Sequence, residues 1–238
     1  MPIENNSPIT DKEKITRDFF DSVSDASQWS ELSNMEYALI RRVFRDLELG
    51  PGDRVVEPGC GTGRLTVELS EAVGKSGWVF SFDLSAKMIE RARTRRHFSN
   101  VHYSVGSVTD IPLFDSSMDV AICYNCFHLF ACPPRSVGEI ARVLAPGGRL
   151  AIVQSENLND LYDERYLPDQ LKSHNIPSLS DILTIFQAFG LHITKIPRTD
   201  VGFVALAVKS DVFRGYYIIV LKINYTIPFH YSVYLRIR

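Results

Sequence analysis

Hydrophobic residues recur along the chain with two different periods. Near the N-terminus they follow helical spacing, through Ile15, Phe19 and Val23 and again across residues 34–47. After the turn at residues 50–53, short apolar runs alternate with amphipathic stretches. Strands are predicted near residues 54–57, 78–83, 101–105, 118–124 and 149–155, and helices near 63–73, 85–96, 134–144 and 179–189. This alternation predicts an α/β fold, because consecutive parallel strands need a helical crossover.

The alternation changes after the last predicted helix. Two apolar segments, 192–196 and 201–209, flank a polar turn and predict a hairpin that closes the sheet. A polar and aromatic insertion at 157–178 is expected above the carboxyl ends of the strands, where open α/β sheets bind ligands. The tail at 211–238 has no assigned role, and an extra hairpin, a dimer contact and a poorly packed terminus remain alternatives.

The stretch with the most chemical information is Val55-Val56-Glu57-Pro58-Gly59-Cys60-Gly61-Thr62-Gly63. It predicts a buried strand that ends in a carboxylate, a turn with little side-chain bulk, and a helix that opens at Arg64. The start of that helix offers unpaired N–H groups to a ligand. A second apolar run ends twenty residues later at Asp83, which is placed to accept hydrogen bonds from two ribose hydroxyls. Together these features indicate a nucleoside-containing cofactor.

Two cofactors fit an acidic residue at Asp83, namely a nicotinamide dinucleotide and S-adenosylmethionine. The dinucleotide fingerprint requires G-x-G-x-x-G, but Arg64 stands where its third glycine belongs. Glu57 would repel a pyrophosphate and attract the ammonium group of a methionine moiety. The sequence therefore favours S-adenosylmethionine. An NAD(P)-dependent oxidoreductase and a non-catalytic S-adenosylmethionine-binding module remain alternatives.

The chain resembles the class I S-adenosylmethionine-dependent methyltransferases, of the small-molecule type similar to the ubiquinone/menaquinone-biosynthesis enzymes. The matching stretches are residues 57–63, Asp83-Leu84-Ser85 with Met88, Gly106-Ser107 leading to Ile111-Pro112, Phe127-His128, and residues 142–148. The resemblance implies a Rossmann-like, doubly wound sheet of seven strands, mainly parallel with an antiparallel last strand. The predicted organisation is N-terminal helices within residues 1–48 that cap the site, because they have no role in the sheet, then a methyltransferase domain at 49–210 and an extension of unknown role at 211–238.

The resemblance implies a division of roles along the cofactor. Glu57 and the glycine loop hold the methionine end, Asp83 holds the ribose, and the residues after Gly106 hold the adenine. The remaining expected cofactor contacts are Gly59, Cys60, Gly61, Gly63, Leu84, Met88, Ser107, Val108 and Asn125. Ser107 departs from the family, because many relatives place aspartate there to accept a hydrogen bond from the adenine amino group. An uncharged and weaker contact is therefore expected at this position.

The acceptor site leaves fewer traces in the sequence, because methyl transfer from a sulfonium needs mainly alignment and exclusion of water. His128 is the candidate general base, since its ordinary pKa suits proton transfer near neutrality; a structural hydrogen bond is the alternative. His128-Leu129 stands where quinone-methylating relatives usually carry Arg-Asn, which argues against a quinone acceptor. Tyr162 and Tyr166 of the insertion are the expected acceptor contacts.

Composition sets limits on location and partners. A chain of 238 residues with 45% hydrophobic and 23% charged residues is ordinary for one large α/β domain with additions. A net charge of −2 gives no reason to expect nucleic-acid or membrane partners. The pair Cys123 and Cys126 lacks the second pair of a zinc ribbon, so no metal is expected. With no signal-peptide pattern, the chain is expected to be cytoplasmic and to act on a small-molecule acceptor, with a homodimer left open.

Overall fold

The computed structural model describes residues 9–25, 31–96, 98–155, 168, 171, 179–196, 198–199 and 202–210. The helices are α1 (Asp11–Val23), α2 (Asn34–Asp46), α3 (Arg64–Val73), α4 (Ala86–Arg95), α5 (Pro133–Val143) and α6 (Leu179–Ala188). The strands are β1 (Arg54–Pro58), β2 (Trp78–Asp83), β3 (Val101–Val105), β4 (Met118–Tyr124), β5 (Leu144–Ser155), β6 (Leu191–Lys195), β7 (Arg198–Thr199) and β8 (Gly202–Lys209). A 3-10 turn, Phe127–Leu129, follows β4.

These strands form one sheet in the order β3-β2-β1-β4-β5-β8-β6, and the two-residue β7 pairs with β8. The first five strands are parallel, and β8 runs antiparallel to both β5 and β6. This confirms the predicted mainly parallel sheet and the antiparallel strand contributed by the closing hairpin. The direction of winding reverses between β1 and β4. Crossover loops diverge at such a reversal, so it is where open sheets bind ligands.

Buried residues alternate along the central strands between two apolar clusters. In β1, Val55 joins a cluster completed by α2 and α3, whereas Val56 joins one completed by α5 and α6. Val79 and Phe80 repeat this alternation in β2. Helices therefore cover both faces of the sheet, and strands buried on both faces are expected to be apolar throughout their length. The carboxyl groups of β1 and β2, Glu57 and Asp83, accordingly lie at the carboxyl ends of these strands.

Helix α1 lies apart from these two layers. A capping box starts it, in which Glu13 N donates to Thr10 Oγ1 and Thr10 N donates to the Glu13 carboxylate at 2.7 Å. A third apolar cluster joins α1 to α4, to the turn after β4 and to Leu171 of the insertion. Its members are Ile15, Phe19, Phe20, Val23, Met88, Leu129 and Leu171. This cluster fixes α1 against the segments that follow β2 and β4.

Strand β5 begins five residues earlier than predicted. The residue pairs Met118–Leu144 and Val120–Arg149 show that extra residues of β5 lie opposite a short stretch of β4. Gly147 has φ of +74°, a conformation that glycine adopts easily, so β5 can bulge here and continue instead of ending. The other predicted strands and helices agree with the structure to within about two residues.

Several expectations fall on residues that the structure does not describe. They include Tyr162, Tyr166 and the whole tail at 211–238, so these expectations stay predictions. The division into capping helices, domain and extension also stays a prediction. Within the described ranges, no helix has the length and apolarity needed to cross a membrane.

The turn before β2 generates a stability prediction. A Cβ at Gly77 would lie 2.5 Å from Val73 Cβ and 2.7 Å from the Asp53 carbonyl oxygen, whereas one at Gly50 would meet no atom within 4 Å in the described part of the chain beyond its own neighbours. We expect Gly77→Ala to cost about 1–3 kcal/mol through steric overlap. Gly50→Ala is the matched control and should change stability little. Thermal unfolding of the two variants measures the difference, and equal melting temperatures would contradict this account of the turn.

Candidate functional site

The carboxyl ends of β1 to β4 open into a cleft of about 970 Å³, including space open to solvent. Loops that follow these strands form most of its wall, and Glu13, Thr16 and Phe20 of α1 complete it. A concave cleft lined by apolar side chains with a few polar groups is typical of small-molecule sites. The cleft lies at the reversal of winding between β1 and β4, as the fold predicts.

The glycine loop after β1 approaches the cleft without side chains. Gly59 has φ of +65°, and a Cβ there would lie 2.6 Å from Cys126 Cβ, so glycine is needed for packing. Gly61 has φ of +54°, yet among the described residues, apart from its own chain neighbours, none places an atom within 4 Å of where its Cβ would be. The space beside Gly61 is therefore the cleft itself. A ligand can contact the backbone closely at this point.

Asp83, at the end of β2, ties two loops together. Gly61 N donates to its Oδ2 and Ser85 N donates to its Oδ1, both at 2.9 Å. Burial raises the pKa of Asp83, while these backbone hydrogen bonds oppose the shift. Because Asp83 lines the cleft, its carboxylate can accept further hydrogen bonds from a ligand.

Glu57, at the end of β1, is 2% exposed and also lines the cleft. Thr66 Oγ1 and Ser81 Oγ each donate to Glu57 Oε2 at 2.6 Å. Burial raises the pKa of Glu57 to about 7; the two hydroxyls lower it, and the negative charge of Asp83 raises it further. A cation bound in the cleft would favour the ionised form of this carboxyl group.

The loop after β3 differs from the prediction in one respect. Gly106 and Val108 line the cleft, but Ser107 is not among its lining residues. The Ser107 hydroxyl instead donates to the Glu13 carboxylate and lies 2.8 Å from Thr109 Oγ1. The carboxylate that reaches the cleft beside β3 therefore comes from α1.

The segment after β4 contributes Asn125, Cys126, Leu129 and Phe130 to the cleft. Asn125 has φ of +52°, and its N–H donates to the Val153 carbonyl at 2.8 Å, which fixes this segment against β5. The Cys126 thiol donates to the Pro58 carbonyl at 3.2 Å. Hydrogen bonding to Cys123 and burial raise the pKa of Cys126 well above its usual value, so its thiol stays protonated at neutral pH.

His128 is buried, with Nδ1 3.0 Å from Gln154 Oε1. Burial lowers its pKa to about 4; the Gln154 hydrogen bond opposes this shift and the Lys12 charge adds to it. A group with this pKa is neutral at pH 7 and is a weak base. His128 is not among the described residues that line the cleft. Its assignment as general base stays a prediction.

The structure brings most of the predicted cofactor residues together around one cleft. Those that line it are Glu57, Gly59, Cys60, Gly61, Asp83, Leu84, Met88, Val108 and Asn125, whereas Gly63 and Ser107 do not. At Gly63 a Cβ would lie 2.9 Å from Tyr103 Oη and 3.1 Å from Ala92 Cβ, so this glycine serves packing between α3 and α4.

Sequence reasoning missed the lining residues of α1 and the residues Arg64 and Tyr124. Tyr124 Oη donates to Glu36 Oε1 at 2.7 Å, and Arg64 Nη1 lies 3.3 Å from the same oxygen. The signals in the sequence were the Thr10-x-x-Glu13 and Ser33-x-x-Glu36 capping boxes. Those patterns predict helix starts and carry no information about distant contacts.

Comparison with known proteins identifies related sequences and folds. Residues 49–190 match the family model described as a methyltransferase domain. The ubiquinone/menaquinone biosynthesis C-methyltransferase of Vibrio parahaemolyticus is 26% identical over 234 residues, covering 83% of this chain and 89% of the relative. The 2-phytyl-1,4-naphtoquinone methyltransferase of Nostoc is 28% identical over 187 residues, covering 77% and 76%. Geranyl diphosphate C-methyltransferase from Streptomyces coelicolor shares the fold, with a TM-score of 0.68, 15% identity, and coverage of 85% and 100%.

The buried Glu57 generates a prediction for the ligand-free protein. Its native pKa lies above the unfolded value of about 4.5, so the folded state keeps a proton that the unfolded state releases between about pH 4.5 and pH 7. Stability should therefore fall as the pH rises through this window, with a full cost of about 3 kcal/mol above pH 7. Glu57→Gln imitates the protonated form. Urea unfolding should show it to be more stable than the parent at pH 8 and equally stable near pH 4.5.

Glu36→Gln is the control with the opposite sign. Although burial raises the pKa of Glu36, hydrogen bonds from Ser33 and Tyr124 and the charge of Arg64 hold that pKa below its usual value. Ionised Glu36 therefore stabilises the fold above its unfolded pKa, and the variant should be less stable than the parent at pH 8. Parallel pH profiles for the parent and Glu57→Gln would contradict the role given to burial at Glu57.

Proposed function

The chain belongs to the methyltransferase-domain family, whose model spans residues 49–190, and on that premise we propose how it binds S-adenosylmethionine and what kind of acceptor it methylates. It is an S-adenosylmethionine-dependent methyltransferase. The observation that carries the residue assignments is the pair of carboxyl groups, Glu57 and Asp83, at the ends of adjacent strands, with the open backbone of Gly61 beside them.

The residues of the cleft fit this cofactor. Asp83 would accept hydrogen bonds from the ribose hydroxyls, while its existing bonds to Gly61 N and Ser85 N hold it in place. Glu57 would pair with the methionine ammonium, whose positive charge would draw the carboxyl group into its ionised form. The open space at Gly61 would admit the cofactor next to the backbone. Cys60, Leu84, Met88, Val108 and Asn125 would supply further contacts along the cleft.

The same residues disfavour a dinucleotide. Glu13 and Glu57, which are buried, and Asp83, which is partly exposed, give the cleft three carboxyl groups, whereas Arg64 is the cation among the described lining residues. A diphosphate would be repelled by this arrangement, but an ammonium group and hydroxyl donors would be attracted. The chemistry of the cleft therefore supports the methyltransferase function over an oxidoreductase function.

We propose a small-molecule acceptor with a substantial apolar part. When bound, the cofactor supplies a methyl group already activated by a sulfonium charge, so the chain needs mainly to orient the acceptor and exclude water. Phe20, Leu129 and Phe130 line the cleft and provide an apolar surface for that purpose. His128 is a weak base at neutral pH, so the proposal relies on alignment more than on proton removal. Tyr162 and Tyr166 remain proposed acceptor contacts.

Relatives and residues give different indications about a quinone acceptor. The relatives' names make quinone precursors the first acceptors to test. The His128-Leu129 pair, where Arg-Asn is usual, favours a different apolar acceptor. We further propose a cytoplasmic location and no nucleic-acid partner, in keeping with the net charge of −2. A homodimer stays a prediction from the sequence.

Titration calorimetry with S-adenosylmethionine, S-adenosylhomocysteine and NAD tests the proposed function. We expect the first two to bind and NAD to show no saturable heat. Turnover with a panel of quinone precursors, phenols and isoprenoids then separates an enzyme from a module that only binds. Tight NAD binding, or no binding of either sulfur compound by folded protein, would refute the proposal.

Asp83→Ala should weaken cofactor affinity by about 2–4 kcal/mol, because it removes charge-assisted hydrogen bonds to the ribose. Asp119→Ala is the matched control, since Asp119 pairs with Arg54 at the start of β1 and lies outside the cleft. It should leave the affinity within about twofold while lowering stability modestly. An Asp83 variant that also retains affinity within twofold would show that this residue is misassigned.

A further inference from the structure

Helix α1 is held by polar contacts to the loops that follow three strands of the sheet, β2, β3 and β4. Lys12 Nζ donates to the Phe130 carbonyl at 3.1 Å, after β4. Ser107 Oγ donates to the Glu13 carboxylate, after β3. Ser85 Oγ donates to the Asp21 carboxylate, after β2. These are the loops that form the cleft, so α1 is held directly against it.

Glu13 has an unusual position within this arrangement. It is 4% exposed, lines the cleft and lies on a helix that is separate from the sheet. Its capping role in α1 uses Oε2, which accepts from Thr10 N at 2.7 Å and from Thr10 Oγ1 at 2.9 Å. Capping does not require the remaining oxygen, Oε1, to reach across to another element. Oε1 nevertheless faces the loop after β3.

Glu13 Oε1 can accept one more hydrogen bond than its contacts within the protein require. Ser107 Oγ donates to it, and Thr109 Oγ1 lies 3.3 Å away. The Thr109 hydroxyl is closer to Ser107 Oγ, at 2.8 Å, and carries one hydrogen. When that hydrogen is donated to Ser107, Oε1 keeps a lone pair for a donor in the cleft. Burial raises the pKa of Glu13, but hydrogen bonds from Ser107 and Thr10 lower it below its usual value, so the carboxylate is ionised at neutral pH.

Three carboxylates thus follow the strand order along the edge of the sheet. Glu13 lies against the loop after β3, Asp83 ends β2 and Glu57 ends β1, and these strands are consecutive in the sheet. Adjacent strands are about 4.8 Å apart. The three carboxylates are therefore arranged in a row, so that one elongated ligand could contact all of them. S-adenosylmethionine carries its donor groups in a matching order, namely the adenine amino group, the ribose hydroxyls and the ammonium group.

We propose that Glu13 determines specificity for adenine by accepting a hydrogen bond from the exocyclic amino group of the cofactor. This rests on the proposed function, in which Asp83 and Glu57 take the other two donor groups. Val108 and Leu84 line the same cleft and supply apolar surface for the ring. A base that carries an oxo group at this position would place an acceptor against a carboxylate, which is repulsive. The specificity for adenine would thus come from Glu13, which lies 94 positions before Ser107 in the sequence and contacts it in the fold.

The test compares S-adenosyl-L-homocysteine with its deaminated analogue S-inosyl-L-homocysteine by titration calorimetry. The parent protein should prefer the adenosyl compound by about 30-fold or more. Glu13→Gln should reduce that preference to below about threefold, because an amide both donates and accepts hydrogen bonds. Glutamine at this position also keeps the capping box, so α1 should form normally.

Asp21→Asn is the matched control. It weakens another attachment of α1, to the loop after β2, and should lower affinity for both ligands by similar factors while the preference persists. If Glu13 only anchored α1, Glu13→Gln would behave in the same way. If Glu13→Gln keeps the preference of the parent for the adenosyl compound, the inference about Glu13 is overturned, whereas the proposed methyltransferase function still stands.

The parent protein provides a second measurement that needs no variant. A preference below about threefold in the parent would overturn the inference even if Glu13→Gln failed to fold. Failure of the parent to bind either homocysteine compound would overturn the proposed function and this inference together. Circular dichroism on each variant establishes that it is folded before its affinities are compared.

Discussion

The site depends on one constraint: ionisable carboxyl groups are buried where the strands end. Asp83 remains there because backbone N–H groups of Gly61 and Ser85 donate to it, and Glu57 remains because two hydroxyls donate to it. Burying such groups is costly unless hydrogen bonds compensate. The loops after β1 and β2 are therefore tied together by Asp83, while hydroxyls of α3 and β2 satisfy Glu57, and these loops form much of the wall of the cleft.

Local signals in the sequence are sufficient to predict the fold, and they also predict that the glycine loop and the carboxyl groups at the ends of β1 and β2 lie together. Apolar runs of strand length, glycines at alternate positions and capping residues act within a few residues, so their meaning survives without tertiary information. Strand β5 was predicted too short because Gly147 and Gly148 indicated a turn, whereas pairing with β4 keeps this stretch in the sheet.

Contacts between distant segments could not be predicted in this way. Nothing near Glu13 indicates that it meets Ser107, since the two residues are joined only when α1 packs on the completed sheet. The serine at position 107 was interpreted as a weakened site when considered alone. The carboxylate from α1 supplies the charge that this position lacks. The insertion presented the opposite difficulty, because its sequence has no period from which packing can be predicted.

The raised pKa of Glu57 has a consequence for the lifetime of the protein in a cell. At neutral pH the ligand-free chain carries a buried carboxyl group with only partial compensation, and a cation bound beside it would supply the missing charge. Binding to the folded state alone shifts the balance away from unfolded molecules that proteases degrade. With Glu57 assigned to the methionine ammonium as proposed, the abundance of the enzyme would be tied to the supply of its methyl donor, and starvation for the donor would lower the amount of catalyst as well as its rate.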